Sequence, residues 1–374
     1  MEPGNKRLNI KIITTAPFPI GMAGSNRIMT YAKGLLENNC NVSVICMKTT
    51  ERSNKVYNTS ASGIIDGIFY KYSGGKTIIS SSLFKRRIDD FNGLLRTCID
   101  LFKENKINKT DAIIFYSFSS RVLPIYFITR LKNILFLIEE SELPSVYTKR
   151  MFFLWRFLFN RFYYHFFDGL LLMTKRLIKY FVEEKGMKTP YLHVPMTVDF
   201  SRFDLDKKET ISEYIAYCGV LNNSKDGVDL LIEAFSMLAK DFPGINLYLI
   251  GDAASDEEYE LYIKKVKQNN LAKRVIFTGR ISKEDMPELL LNASILVLAR
   301  PKSIQAEGGF PTKLGEYLAT GKPVIVTKVG EIPDYLTDGV NAFMAEPGSI
   351  DSLYCKMKTI LLDYTHALVI GENG

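Results

Sequence analysis

The chain has 374 residues, 47% hydrophobic and 24% charged, the balance of an ordinary globular protein, which excludes a disordered, fibrous or collagenous chain. At about 100–200 residues per domain, this length predicts two separate cores. Lys and Arg number 48 against 41 Asp and Glu; the net charge of +7 favours an anionic partner but leaves nucleotide, phosphorylated substrate and acidic membrane surface all open.

In chain order, the first half predicts a strand at 10–13, a turn-rich loop at 17–25, a helix from Asn26 to Leu36 and a second strand at 42–46. Strand, glycine-bearing loop, helix and strand within about 35 residues form the unit of a parallel sheet whose ligand loops lie at the strands' C-terminal ends. Further buried strands are expected at 112–116, 134–138 and 170–173, giving one doubly wound α/β domain over 1–194. The polar stretch after His193-Val194-Pro195 reads as a hinge. The same grammar then restarts over 195–374, with strands at 215–218, 247–250, 275–277, 295–298 and 324–327 alternating with helices that begin near Val228, Glu257, Glu284 and Pro311. Two such domains are expected to face each other across a cleft, the default place for a sizeable ligand.

The aromatic segment 151–167 contains Trp155 and is interrupted by Arg156, Asn160 and Arg161, which argues against a membrane span. Two readings remain: a helix packed on the sheet, which the pattern favours, or a surface-lying helix with Arg150, Arg156 and Arg161 on lipid headgroups. Cys40, Cys46, Cys98, Cys218 and Cys355 are scattered and read as reduced core residues of a cytoplasmic protein. His165, His193 and His366 stand apart from one another and from any cysteine pair, so no zinc site and no metal cofactor are expected. The start of the chain shows no basic-then-apolar leader. Asp204-Leu205-Asp206 could mimic a metal-binding pair, but it has no apolar strand before it and reads as linker.

The chemistry concentrates in Glu307-Gly308-Gly309-Phe310-Pro311-Thr312-Lys313-Leu314-Gly315-Glu316 and the residues up to Gly321. Pro311 suits a first helical turn and Gly321 a C-terminal stop, so a helix is expected over 311–320. Gly308 and Gly309 before it bare the backbone, letting a diphosphate approach unpaired N–H groups at the positive end of the helix dipole. Glu316, on the face of Thr312 and Lys313, is placed to accept two hydrogen bonds from a diol such as a ribose.

This segment resembles the donor-binding motif of retaining glycosyltransferases of the GT-B fold, in particular the large fourth family, also called glycosyl transferases group 1. The resemblance extends over Tyr217-Cys218-Gly219-Val220-Leu221, Lys225 to Phe235, Leu249-Ile250-Gly251-Asp252, Val275 to Ile281 and Gly330-Glu331-Ile332-Pro333-Asp334, covering nearly all of 215–347. A looser likeness rests on Pro17 to Arg27, on Glu142-Leu143-Pro144 and on the residues from Val194 to Asp199.

It implies transfer of a sugar from a nucleotide-sugar donor, with retention and without a required metal, to a glycan or lipid-linked acceptor in cell-surface polysaccharide or glycoconjugate synthesis. Glu316 fits the ribose-binding glutamate. Glu307 takes the sugar-side role, one place out of the family's register. Val220 stands where an arginine is common, so Lys225 is assigned the diphosphate, helped by Lys313. The backbone at Gly279 and Ile281 would meet the base, and Gly24 and Ser25, with Gly21 and Ala23, would close over the phosphates from the first domain. No nucleic-acid partner is expected, and membrane contact at the inner face would run through 151–167. Members of the family continue through a last helix past the point where this chain stops at 367–374, so that helix is expected to be missing. The competing readings are a nucleotide-sugar epimerase and a catalytically silent nucleotide-sugar-binding partner in a glycan assembly complex. A dinucleotide oxidoreductase is disfavoured because Gly21-Met22-Ala23-Gly24 is not GxGxxG.

Overall fold

Runs of aliphatic and β-branched residues build two parallel sheets. The computed structural model describes residues 7–104, 109–116, 119, 121–148, 162–203 and 214–374, and the chain divides into two compact units, Met1–Thr197 and Val198–Gly374. Residues 151–161 of the aromatic segment and the Asp204-Leu205-Asp206 triplet lie outside the described residues.

In the first unit, strands β1 (Asn9–Thr14), β2 (Asn41–Cys46), β3 (Ser62–Ile65), β4 (Ile68–Tyr72), β5 (Ala112–Tyr116), β6 (Leu135–Glu140), β7 (Gly169–Leu172) and β8 (Tyr191–His193) form one sheet in the order β3-β4-β2-β1-β5-β6-β7-β8. Every pairing is parallel except the β3–β4 hairpin. That hairpin turns at Asp66 and Gly67, whose φ angles of 48° and 77° are the left-handed pair a two-residue turn needs to match strand twist. Helices α1 (Ala23–Glu37), α2 (Leu83–Lys103) and α3 (Val122–Lys132) lie between successive parallel strands. Strand order reverses at β1, which has β2 on one side and β5 on the other, so the segment leaving Thr14 for α1 occupies the switch point. At the described end of the aromatic segment Tyr163, Tyr164 and Phe167 are buried, with Phe167 against Phe115 and Phe136 and Tyr164 edge-on to Phe181, while Phe162 is exposed.

The second unit carries β9 (Tyr214–Cys218), β10 (Asn246–Ile250), β11 (Val275–Gly279), β12 (Ile295–Leu298), β13 (Val324–Thr327) and β14 (Phe343–Ala345) in the order β11-β10-β9-β12-β13-β14, parallel throughout. Every residue of β12 and β13 is buried, as strands covered on both faces require. Leu231, Phe235 and Leu238 of the Val228–Asp241 helix share this core with Leu353, Met357 and Ile360 of the Ile350–Leu362 helix. Here the switch point lies at β9, flanked by β10 and β12.

Two local expectations shift. The helix expected from Asn26 begins at Ala23, so Gly24 and Ser25 occupy a first helical turn and not a loop. The helix expected over 311–320 spans Thr312–Ala319; Pro311, with ψ 108°, is its N-cap and lies outside it.

Candidate functional site

The C-terminal ends of three strands in the second unit meet at glycines. Gly219 follows β9, Gly251 follows β10 and Gly279 ends β11. The Gly219 N–H donates to the Ile250 carbonyl at 2.8 Å, and the Gly251 N–H to the Gly279 carbonyl at 2.9 Å. Gly251 has φ 134°, and a Cβ there would lie 2.0 Å from the Gly219 carbonyl oxygen, so no side chain can cover this backbone. A Cβ at Gly219 would lie 2.4 Å from Lys313 Nζ. The ammonium therefore rests against bare backbone at the switch point.

Lys313 is placed by a buried cluster around Asp226, whose side chain is 2% exposed. Its Nζ donates to Asp226 Oδ2 at 2.8 Å and to Tyr217 Oη at 2.7 Å, and lies 4.5 Å above the Tyr217 ring. The Tyr217 hydroxyl is 2.8 Å from both Asp226 Oδ2 and the Val220 carbonyl and donates its one proton to either. Arg300, also buried, brings Nε to 3.9 Å from Asp226 Oδ1 and donates to the Lys225 carbonyl at 3.4 Å. Burial alone would raise the Asp226 carboxyl, but Lys313, the Tyr217 hydroxyl and Arg300 together hold the group below its usual value. Burial draws the Lys313 ammonium down, with Asp226 opposing. Two cations thus converge on this carboxylate. A third, Lys225, is exposed on the same short segment Asn223–Asp226, whose N-cap Asn222 accepts the Lys225 N–H at 2.8 Å. Its charge reaches Lys313 and lowers that ammonium further.

Glu316 lies one turn beyond Lys313 on the Thr312–Ala319 helix, and spacing i, i+3 puts both on one face. Its Oε1 accepts from Arg202 Nη1 at 2.9 Å, and both side chains are 15% exposed. Arg202 Nη2 also donates to the Lys283 carbonyl at 3.1 Å. Burial pushes the Glu316 carboxyl up, and Arg202 pulls it back only in part. The helix is pinned to β9 by the buried Tyr317, whose hydroxyl accepts the Cys218 N–H at 2.6 Å.

The remaining candidates fall around this core. Glu307 is exposed and sits in a short helix, Ile304–Gly308; Gly308 is its last residue and Gly309 its C-cap. Ser303 caps it, its hydroxyl accepting the Ala306 N–H at 3.1 Å. Phe310 meets the Tyr335 ring edge-on at 5.3 Å, and Thr312 opens the following helix. Ile281 is half-buried just beyond Gly279, where the chain turns with φ 66°. Gly24 and Ser25 belong to the first unit; there the Ser25 hydroxyl is already committed, donating to the Pro17 carbonyl at 2.6 Å. Sequence reasoning did not single out Asp226, Arg300 or Arg202. A signal existed for Arg300, a charged residue two places past a wholly apolar strand and so at the ligand end of the sheet. Asp226 and Arg202 gain their meaning only from partners 87 and 114 residues away.

Residues 199–374 match the family described as Glycosyl transferases group 1. Mannosylfructose-phosphate synthase of Agrobacterium fabrum is 28% identical over 221 residues, 55% of this chain and 47% of that protein. The chain spans about half the length of the curated relatives it matches. Among solved structures, sucrose-phosphate synthase from Thermosynechococcus elongatus superposes with a TM-score of 0.72 at 16% identity, over 98% of this chain and 93% of that one. Anabaena HepE in complex with UDP and glucose gives 0.69 at 15%, over 98% and 93%. No helix among the described residues is long and apolar enough to cross a membrane. The chain thus has the GT-B fold, and its residues 199–374 belong to the glycosyl transferases group 1 family.

Proposed function

We propose that this protein transfers a sugar from a nucleotide-sugar donor to a glycan or lipid-linked saccharide acceptor, with retention of anomeric configuration. The observation that carries the reading is the placing of the Lys313 ammonium, held by Asp226, against bare backbone at the second unit's switch point, with the exposed Lys225 on the same segment as Asp226. A diphosphate laid over Gly219 would meet the Lys313 ammonium and the exposed Lys225. Glu316, one turn along the same helix, would take the ribose diol, with Arg202 holding its carboxylate in place. HepE, which shares the fold, is described in complex with UDP and glucose, consistent with a donor of this class.

Chemistry would then be driven by the leaving group. As the glycosidic bond lengthens, negative charge gathers on the diphosphate, and fixed cations and helix N–H groups already aimed there stabilise it without reorganising. The acceptor hydroxyl attacks from the leaving-group side and passes its proton to the departing phosphate, so no protein nucleophile is required. Glu307, exposed beside Gly308 and Gly309, is assigned to the transferred sugar's hydroxyls, and the backbone at Gly279 and Ile281 to the base. Gly24 and Ser25 remain assigned to the phosphates through first-turn N–H groups, since the Ser25 hydroxyl is taken.

A panel of nucleotide-sugars, assayed for nucleoside diphosphate release with and without saccharide acceptors, tests the proposal. Release with a new glycosidic product of retained configuration supports it. Isomerised sugar without transfer would assign an epimerase, and binding without turnover a silent partner; either outcome rejects the transferase reading.

A further inference from the structure

Helix α2 presents an apolar stripe to the outside of the first unit. Phe84, Ile88, Phe91, Leu95, Ile99 and Phe102 are all exposed, Phe84 by 74% and Phe91 by 62%. At 100° per residue these six fall within about 80° of the helix circumference and run for about 27 Å along it. The opposite face is the one that packs inward, through Gly93, Thr97 and Leu101. Helix α3, packed beside α2, also exposes Leu123, Phe127 and Leu131. Six exposed apolar residues in one row along a helix are not the singly scattered apolar residues that need no explanation.

The charges beside the stripe identify its partner. Lys85, Arg96 and Lys103 project about 100–120° round from Phe84 along one border, and Arg87 stands on the other. The helix's three aspartates lie further back and are neutralised from neighbouring segments: Asp89 by Lys76, Asp90 by Arg121 and Asp100 by Lys71. An apolar ridge with basic borders has the chemistry of a helix lying in the plane of an anionic bilayer, rings and aliphatic chains among acyl groups and cations at headgroup level. A second copy is a poor occupant, because two identical ridges laid together would bring like-charged borders into register.

We infer that α2, with the adjoining face of α3, docks this protein on an anionic lipid surface. The inference is independent of the sugar-transfer reading. It places membrane contact on α2.

Co-sedimentation of the full chain with vesicles tests it. The protein should pellet with phosphatidylcholine vesicles containing about 30% phosphatidylglycerol, far less with phosphatidylcholine alone, and weakly in about 0.5 M salt. Combining Phe84→Ser, Phe91→Ser and Phe102→Ser should cut partitioning about tenfold or more, with an unchanged thermal melt. Lys85→Glu with Arg96→Glu should abolish the preference for phosphatidylglycerol while leaving the apolar face intact. Equal pelleting of the serine variant, or no binding to anionic vesicles, overturns the inference. A lipid-free dimer that the serine changes dissociate also overturns it, assigning the face to a second copy.

Discussion

Each unit buries a charged cluster at the C-terminal end of its sheet, and the two clusters are built differently. In the first, Arg27 faces Glu139 at 2.6 Å with side chains 1% and 2% exposed, and Glu140 is buried next to it. Burial pushes the Glu140 carboxyl well up, the charge of Glu139 adds to the effect, and the Tyr164 hydroxyl donates to it at 3.2 Å. In the second, Lys313 and Arg300 both approach the carboxylate of Asp226. The first cluster is also closed. Arg27 spends its remaining donors on the Val194 and Pro195 carbonyls, at 2.6 and 2.8 Å, fastening the segment that leads out of the unit. The second is open, with Lys225 in solvent. An ion pair enclosed in structure, against cations beside bare backbone, supports the proposal that an anionic donor binds the second unit.

The sharpest way to break this contrast is to remove one charge from each cluster. Arg27→Met leaves Glu139 buried without its cation and frees two carbonyls, so unfolding in urea should show a loss of about 3–5 kcal/mol. A loss under about 1 kcal/mol would mean that the pair holds nothing together. Lys225→Ala should do the reverse, lowering the transfer rate about 10²–10³-fold with stability within about 0.5 kcal/mol of the parent. A normal rate would shift the diphosphate to Lys313 or to Arg280.

Smaller effects sharpen the same contrast. Glu316→Gln keeps the shape of the side chain but removes its charge, and donor affinity measured by calorimetry should fall by about 1–3 kcal/mol. Unchanged binding would reject the ribose role. The pH dependence has a definite sign. The carboxylate must be ionised to accept the diol, and burial raises its folded pKa, so donor binding should weaken as pH falls while ordinary carboxylates are still charged. Arg202→Ala removes the cation that pulls this pKa back and should move the weakening to higher pH; a titration that does not move would show that Arg202 is not the group that sets it.

Much of the fold was legible because central parallel strands are continuous apolar runs. Segments 112–116, 295–298 and 324–327 were read with the bounds that β5, β12 and β13 have. The β3–β4 hairpin was passed over although Asp66-Gly67 is a strong turn signal, because its strands are short and β3 is largely exposed at the sheet edge. The exposed ridge of α2 escaped notice for a related reason: its sequence has the period of a helix, and periodicity does not say which face is covered. In the site, Lys313 and Glu316 were legible as a local pattern on one helix. The Asp226, Arg300 and Arg202 contacts were not, since each is made by chain segments brought together only by the fold.

Titration of uridine, guanosine and adenosine diphosphates, each against its nucleoside, into the wild-type chain and into a Lys225→Ala, Lys313→Met variant tests the central claim most directly. One diphosphate should bind at least about tenfold tighter than its nucleoside, and the variant, shown by its melt to be folded, should lose most of that difference. Equal affinity for diphosphate and nucleoside, or a difference that survives in the variant, would contradict a donor site built on the cations around Asp226.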